Sequence, residues 1–271
     1  MPVLQLDEAD IHYEVHGKGP PLLLISGTAC DGDFWKPYQV PDFSRDHNVI
    51  TFDQRGTGKT VMRGTNYSTT RLATDAARLI EHVGRGPAVV LGHSMGGRVA
   101  QLVALDHPAT VKSLVLASTG ASFRAKGGIP PAICLGIVTL GYERYIREHS
   151  IEIGFSKDFV EAHPDRVEQC IDVLLAALPP IEVYFAHVMS RQDHDTSARL
   201  KDMSLPTLVM VGGDEGHGNS DTTHIASAQF LAKSIPGATF VVVPGHGHFY
   251  PFSDPETTNR IVRDFIATTA A

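Results

Sequence analysis

Residues 88–97 read AVVLGHSMGG, a short apolar run that passes straight into a glycine-flanked serine, and residues 96–106 continue with helical periodicity. No other segment constrains the fold so tightly. A strand that turns abruptly into a helix forces the turning residue, Ser94, into strained backbone angles, so the positions two before and two after it must be small. Gly92 and Gly96 meet that requirement. The Ser94 hydroxyl is then expected to project above a sheet, beside the positive end of the following helix.

The same alternation runs along the chain. Apolar runs stand at 21–26 (PLLLIS), 48–52 (NVITF), 113–117 (SLVLA), 207–211 (TLVMV) and 239–243 (TFVVV). Unbroken apolarity suits strands buried on both faces of a parallel sheet. Helical patterns at 68–83, 96–106, 223–234 and 254–268 lie between or after them, which predicts a mostly parallel sheet flanked by helices. Residues 3–6 and 11–15 alternate instead, predicting an antiparallel hairpin at the sheet edge. About eight strands are expected in all.

The rhythm breaks between residues 123 and 202, which carry helical patterns at 132–140, 142–153, 157–162, 166–178 and 180–191. Prolines 130, 131, 164, 179 and 180 punctuate them at helix starts. This stretch reads as a helical cap inserted after the sixth strand. The chain then divides into one discontinuous core, residues 1–122 and 203–271, and a cap, residues 123–202.

Composition narrows the class. The 271 residues carry 23 Lys+Arg against 30 Asp+Glu, a net charge of −7, with 42% apolar residues. These values exclude disordered, collagenous and coiled-coil chains, and the acidic balance argues against nucleic-acid or anionic-membrane partners. A small-molecule substrate is the expected partner, with monomer and homodimer equally compatible. Cys30, Cys134 and Cys170 are odd in number and lack metal-ligand spacing, so each reads as a small apolar residue. The first fifteen residues lack a basic segment and an apolar core, and no apolar run approaches a membrane span; a cytoplasmic location is expected.

A serine hydroxyl is a weak nucleophile at neutral pH and needs a base. Residues 244–248 (PGHGH) follow the last strand, where a base placed after nucleophile and acid belongs. Either His246 or His248 qualifies; His248 is favoured because Gly247 permits a tight turn toward Ser94. The acid belongs after TLVMV, where Asp214 and Glu215 stand side by side, and the chemistry leaves both open. Two backbone N–H groups must stabilise a developing oxyanion. Met95, directly after the serine, supplies one, and Thr28, in the loop after PLLLIS, is the candidate for the other. No cofactor and no metal is called for.

Taken in order, GHSMGG (92–97), DQRGTG (53–58), PGHGH (244–248) and DPE (254–256) resemble the α/β-hydrolase superfamily over nearly the whole chain. The resemblance implies an α/β-hydrolase fold and a serine–histidine–acid triad. The family's spacing after the glycine that follows the seventh strand places the acid at Glu215; family members usually carry Asp, which keeps Asp214 in consideration. The family's His-Gly at the oxyanion loop is Ser26-Gly27 here, a change that a backbone donor tolerates. Residues 23–35 with 51–58 are most similar to the enol-lactonase and aminoacrylate-hydrolase group of esterases. The expected activity is therefore hydrolysis of a small, partly apolar ester or lactone. Cleavage of a C–C or C–N bond on the same triad, and a non-catalytic ligand-binding protein, are the alternatives.

Residues 53–60 (DQRGTGKT) approach a phosphate-binding loop but start with Asp where glycine is required; the segment reads instead as a structural loop with Asp53 and Arg55 in an ion pair. His217, Asp221, His224, His246 and His248 lack the spacing of a metal site. Tyr142, Tyr145, Phe155, Tyr184, Phe185 and Met189 either pack the cap or line a pocket, and Arg124, Arg144, Arg147 and Arg191 are candidates for meeting a charged substrate.

Overall fold

The computed structural model describes residues 2–123, 128–214 and 224–269. Among the described residues nine strands form one sheet: β1 (Val3–Leu6), β2 (Ala9–His16), β3 (Pro21–Ile25), β4 (Asn48–Phe52), β5 (Val61–Met62), β6 (Ala88–His93), β7 (Val111–Ala117), β8 (Thr207–Gly212) and β9 (Thr239–Val243). Their order is β1-β2-β4-β3-β6-β7-β8-β9, with β5 paired to β2 off this path. Pairing is parallel from β4 through β9 and antiparallel where β2 meets β1, β4 and β5. The predicted edge hairpin is present, in register Val3↔His12 to Leu6↔Ala9. The ninth strand, β5, has two residues, too few to leave a hydrophobic pattern. It makes the helical insertion follow the seventh strand rather than the sixth.

The helices are α1 (Gln39–Phe43), α2 (Thr69–Val83), α3 (Met95–Asp106), α4 (Pro131–Leu140), α5 (Tyr142–Gly154), α6 (Lys157–Ala162), α7 (Pro164–Ala176), α8 (Ile181–Asp193), α9 (His224–Ser234), α10 (Tyr250–Ser253) and α11 (Pro255–Thr268). Their ends follow local chemistry. The Ser68 side chain accepts from the Arg71 N–H to start α2, and Gly84 ends it in the left-handed region at φ 69°. Asp254 caps α11 in the same way, and prolines open α4, α7 and α11 at their first position. No single helix among the described residues is long and apolar enough to cross a membrane.

The apolar runs work as double-faced strands. In β3, Leu23 and Ile25 join a core with Val90, Leu116, α2 and α3, while Leu22 and Leu24 join the opposite core with Val89, Leu91, Phe34 and Trp35. Successive side chains point to opposite faces, and helices cover both. α7 packs into the second core through Cys170 and Ile171. β9 departs from the expectation: as the terminal strand it has one neighbour, and Val242 stays 39% exposed.

The DQRGTG segment corrects one expectation. Asp53 and Arg55 do not pair with each other. Arg55, fully buried, grips Asp75 of α2 through Nε at 2.5 Å and Nη2 at 3.2 Å. The Asp53 carboxylate takes N–H groups from Gly32 (3.0 Å) and Lys59 (2.8 Å) and meets His12 Nδ1 at 3.1 Å. A Cβ on Gly58 would fall 2.3 Å from Asp53 Oδ2. The turn is thus closed around its own carboxylate.

Candidate active site

Ser94 sits between β6 and α3 with φ 57° and ψ −118°, a conformation costing on the order of 1–3 kcal/mol for a residue with a side chain. The surrounding glycines are sterically required. A Cβ on Gly92 would lie 2.3 Å from the Gly96 carbonyl oxygen, one on Gly96 would lie 2.2 Å from that of Ile25, and one on Gly97 would lie 2.5 Å from Thr119 Cγ2. Gly92 and Gly96 are legible as local requirements of the turn; Gly97 answers to Thr119, just past β7, which no local pattern reveals. The Ser94 N–H donates to Ala117 at 2.9 Å, and Thr119 Oγ1 donates to the Ser94 carbonyl at 2.7 Å.

Ser94 and His248 line one cavity of about 80 Å³, together with the Gly27–Ala29 loop, His149, Tyr184 and Arg191. This is small beside the roughly 300–1,000 Å³ of drug-sized ligand pockets. His248 is buried. Burial, with the charges of Arg191 and His149 nearby, holds its imidazole down to about 3, so it is neutral at physiological pH. The loop carrying it is pinned on both sides. His248 and Phe249 N–H groups donate to Ile153 and Gly154 of α5, at 3.0 and 2.9 Å. His93, the variable residue before the serine, donates from Nε2 to the His248 carbonyl at 2.9 Å. Its contribution was not visible in the sequence, where that position carries no fixed chemistry.

Gly247 matters for a different reason from the one expected. A Cβ there would come within 2.7 Å of the Gly154 carbonyl oxygen, so the glycine lets two backbones abut. His246 is engaged elsewhere, with Nδ1 2.8 Å from Ser253 Oγ and Nε2 3.7 Å from Asp254. It does not line the cavity.

The loop after β8 is pressed against this segment. The Gly213 N–H donates to Val243 at 2.7 Å and the Asp214 N–H to His246 at 3.0 Å. A Cβ on Gly212 would strike the carbonyl oxygens of His246 and Gly247 at 2.4 Å. Asp214 is partly exposed. Glu215, His217 and Asp221 lie outside the described residues, as does Arg124. Among the described residues no group of three or more His, Cys, Asp or Glu is arranged to hold a metal ion.

The loop after β3 approaches the serine closely: a Cβ on Gly27 would stand 3.3 Å from Ser94 Cβ. Ala29 is held at φ 59°, and its N–H donates to His187 Nδ1 at 3.3 Å. His187 Nε2 in turn donates to the Arg55 carbonyl at 2.9 Å. The Met95 N–H opens α3, where first-turn donors have no intrahelical acceptor. Cys30 also lines the cavity, but burial pushes its thiol up to about 12, which removes a thiolate competitor at neutral pH.

Of the helical aromatics, Tyr184 reaches the cavity wall. Tyr142 and Tyr145 pack with it in a separate cluster, Phe155 stacks on Phe159 and meets Phe249, and Met189 is 44% exposed. Of the candidate arginines, Arg144 and Arg147 pair on the surface with Glu148 and Glu168, while Arg191 faces the cavity.

The sequence profile of the α/β-hydrolase family matches residues 22–261. A protein of Caulobacter vibrioides named putative carbamate hydrolase RutD is 30% identical over 265 residues, covering 94% of this chain and 95% of that protein. A thermophilic esterase from Thermogutta terrifontis superposes with a TM-score of 0.85 at 26% identity, each chain covered completely. The enol-lactonase from Burkholderia xenovorans shares the fold, with a TM-score of 0.83 at 23% identity over 98% of this chain and all of that one. The nine-stranded sheet, the strained serine turn and these matches together make this chain a member of the α/β-hydrolase family of enzymes.

Proposed function

We propose that the protein is a serine hydrolase that cleaves a small, partly apolar carboxylic ester or lactone through an acyl-enzyme. One observation carries the reading: Ser94, in its strained turn, shares a small cavity with neutral, buried His248 and the Gly27–Ala29 loop. His248 removes the Ser94 proton as Oγ attacks the carbonyl carbon. The Met95 and Thr28 N–H groups hold the oxyanion. His248 then passes the proton to the leaving alkoxide, and a water molecule, activated by the same imidazole, releases the acid and restores Ser94. Glu215, at the family's spacing after Gly212, is the carboxylate assigned to orient His248, with Asp214 the alternative. Residues 123–202 act as a cap whose helices α5, α7 and α8 supply the cavity's upper wall.

A second reading, hydrolysis of a C–N bond by the same groups, is favoured by the relatives named putative carbamate hydrolases. A panel of short-chain p-nitrophenyl esters, lactones and carbamates assayed under one condition separates the two. Burst release of p-nitrophenol that disappears in Ser94→Ala is the expected result. Full turnover in Ser94→Ala would eliminate the nucleophile assignment under either reading.

A further inference from the structure

Two cations in and beside the cavity lack the partners the fold supplies elsewhere. Arg55, fully buried, has Asp75 in a two-point grip. Arg191 of α8 faces the same cavity as Ser94 yet meets no carboxylate among the described residues. Its Nη1 donates to Thr28 Oγ1 at 3.2 Å, and its enclosed Nε has no acceptor. Arg98 of α3 is buried nearby. Its guanidinium lies 4.2 Å from the centre of the Phe123 ring, and that of Arg191 lies 6.0 Å from the same ring. Arg98 Nη1 also has no acceptor, and no carboxylate pairs with it among the described residues.

A buried guanidinium without a counter-charge is costly, and unpaired cations held in a cleft mark places where an anion binds. The electrostatics agree. Burial lowers the Arg191 pKa, and burial with the Arg191 charge brings Arg98 down to about 9. The Arg191 charge also helps lower His149 and His248.

We propose that Arg191, reinforced by Arg98, binds a carboxylate carried by the substrate, so that the preferred substrates are short monoanionic esters or lactones. The inference rests on the serine-hydrolase reading for where the scissile bond lies. Arg191 touches Thr28, whose N–H is assigned to the oxyanion, so the carboxylate sits a short chain away from the scissile carbonyl. The planar guanidinium suits this role because it presents paired donors to a carboxylate. The cavity volume of about 80 Å³ limits the acid to a few carbons.

The test compares monomethyl succinate with methyl butyrate, esters of matched length that differ in the carboxylate, by pH-stat. Wild type is expected to favour the anionic ester in kcat/KM by roughly 10- to 100-fold, the range of a charge-assisted hydrogen bond. Arg191→Gln is expected to bring that ratio within about threefold of unity, and Arg191→Lys to keep part of it. A merely structural Arg191 would lower both esters alike and leave the ratio standing, which overturns the proposal. Direct binding of monomethyl succinate to Ser94→Ala, measured by calorimetry with and without Arg191→Gln, separates the two readings. Arg191-dependent binding with no turnover of any ester by wild type leaves the anion site and removes the hydrolase reading. Turnover abolished by Ser94→Ala, with no anionic preference and no Arg191-dependent binding, removes the anion site alone.

Discussion

His187 offers the sharpest test of how the proposed oxyanion loop is held. Its side chain is fully buried, and its two ring nitrogens have distinct tasks. Nδ1 accepts from Ala29 at 3.3 Å, and Nε2 donates to Arg55 at 2.9 Å, which sets the Nε2–H tautomer. Burial lowers the imidazole to about 4, so it stays neutral and both bonds persist at physiological pH. Ala29, at φ 59°, lies in a region that costs about 1–2 kcal/mol for a residue with a Cβ. The loop therefore needs an outside restraint, and the Nδ1 bond supplies one. His187→Ala would leave two buried backbone groups unsatisfied, at about 1–3 kcal/mol each, so a stability loss of roughly 2–6 kcal/mol is expected. Two milder variants isolate the catalytic part. Asparagine places an oxygen near the Nδ1 position and keeps the Ala29 bond; glutamine places an amide nitrogen near Nε2 and keeps only the Arg55 bond. Loss of one oxyanion donor costs about 10²–10³ in kcat, and a misplaced donor costs part of that. Thus kcat on p-nitrophenyl acetate, normalised by burst amplitude, is expected to fall roughly tenfold or more in His187→Gln. In His187→Asn it is expected to stay within about threefold. Urea midpoints measured alongside separate stability from catalysis. Equal losses in the two variants, or an unimpaired His187→Gln, would refute the argument.

Three further outcomes are expected. Gly96→Ala, which would drive a Cβ to 2.2 Å from the Ile25 carbonyl oxygen, is expected to destabilise by at least the 1–3 kcal/mol of ordinary overpacking and to abolish the burst; a folded, active variant would contradict the elbow packing. Glu215→Gln is expected to reduce kcat on the order of 10³- to 10⁴-fold by analogy with the triad template, with Asp214→Asn far milder; the reverse order assigns the acid to Asp214. Stability depends on buried neutral histidines. His187 and His194 titrate at about 4 and 3 when folded, both lowered chiefly by burial, against about 6.5 unfolded. The unfolded chain binds more protons in this window, so stability is full above about pH 6.5 and is lost as pH falls toward 4. At most about 3 kcal/mol comes from His187 alone. A urea midpoint that is flat between pH 7 and pH 4.5 would contradict this.

Much of the fold was legible because its signals are local. A double-faced strand must be continuously apolar, and a helix must show its period and its caps, so α2, α11 and the central strands stand close to their expected bounds. Two-residue β5 escaped, as did the exposure of edge strand β9, since both depend on which strand lies alongside rather than on composition. Asp53 and Arg55 were wrongly paired for the same reason: adjacency in sequence suggested a partner, while packing brought His12 and Asp75 closer.

By itself, the sequence determined that Ser94 stands in a strained strand-to-helix turn of a parallel sheet, because only small residues fit around that turn and the glycines are written locally. It also left two histidines, His246 and His248, as candidates for the base. Only the tertiary structure gave the two different surroundings, placing His248 on the cavity beside Ser94 and His246 against Ser253 and Asp254. The same holds for the His187 bridge, the His93 bond and the cationic wall of Arg191 and Arg98. Each joins groups far apart in sequence, and their side chains acquire a role only when folding buries them together and removes the water that would otherwise satisfy them.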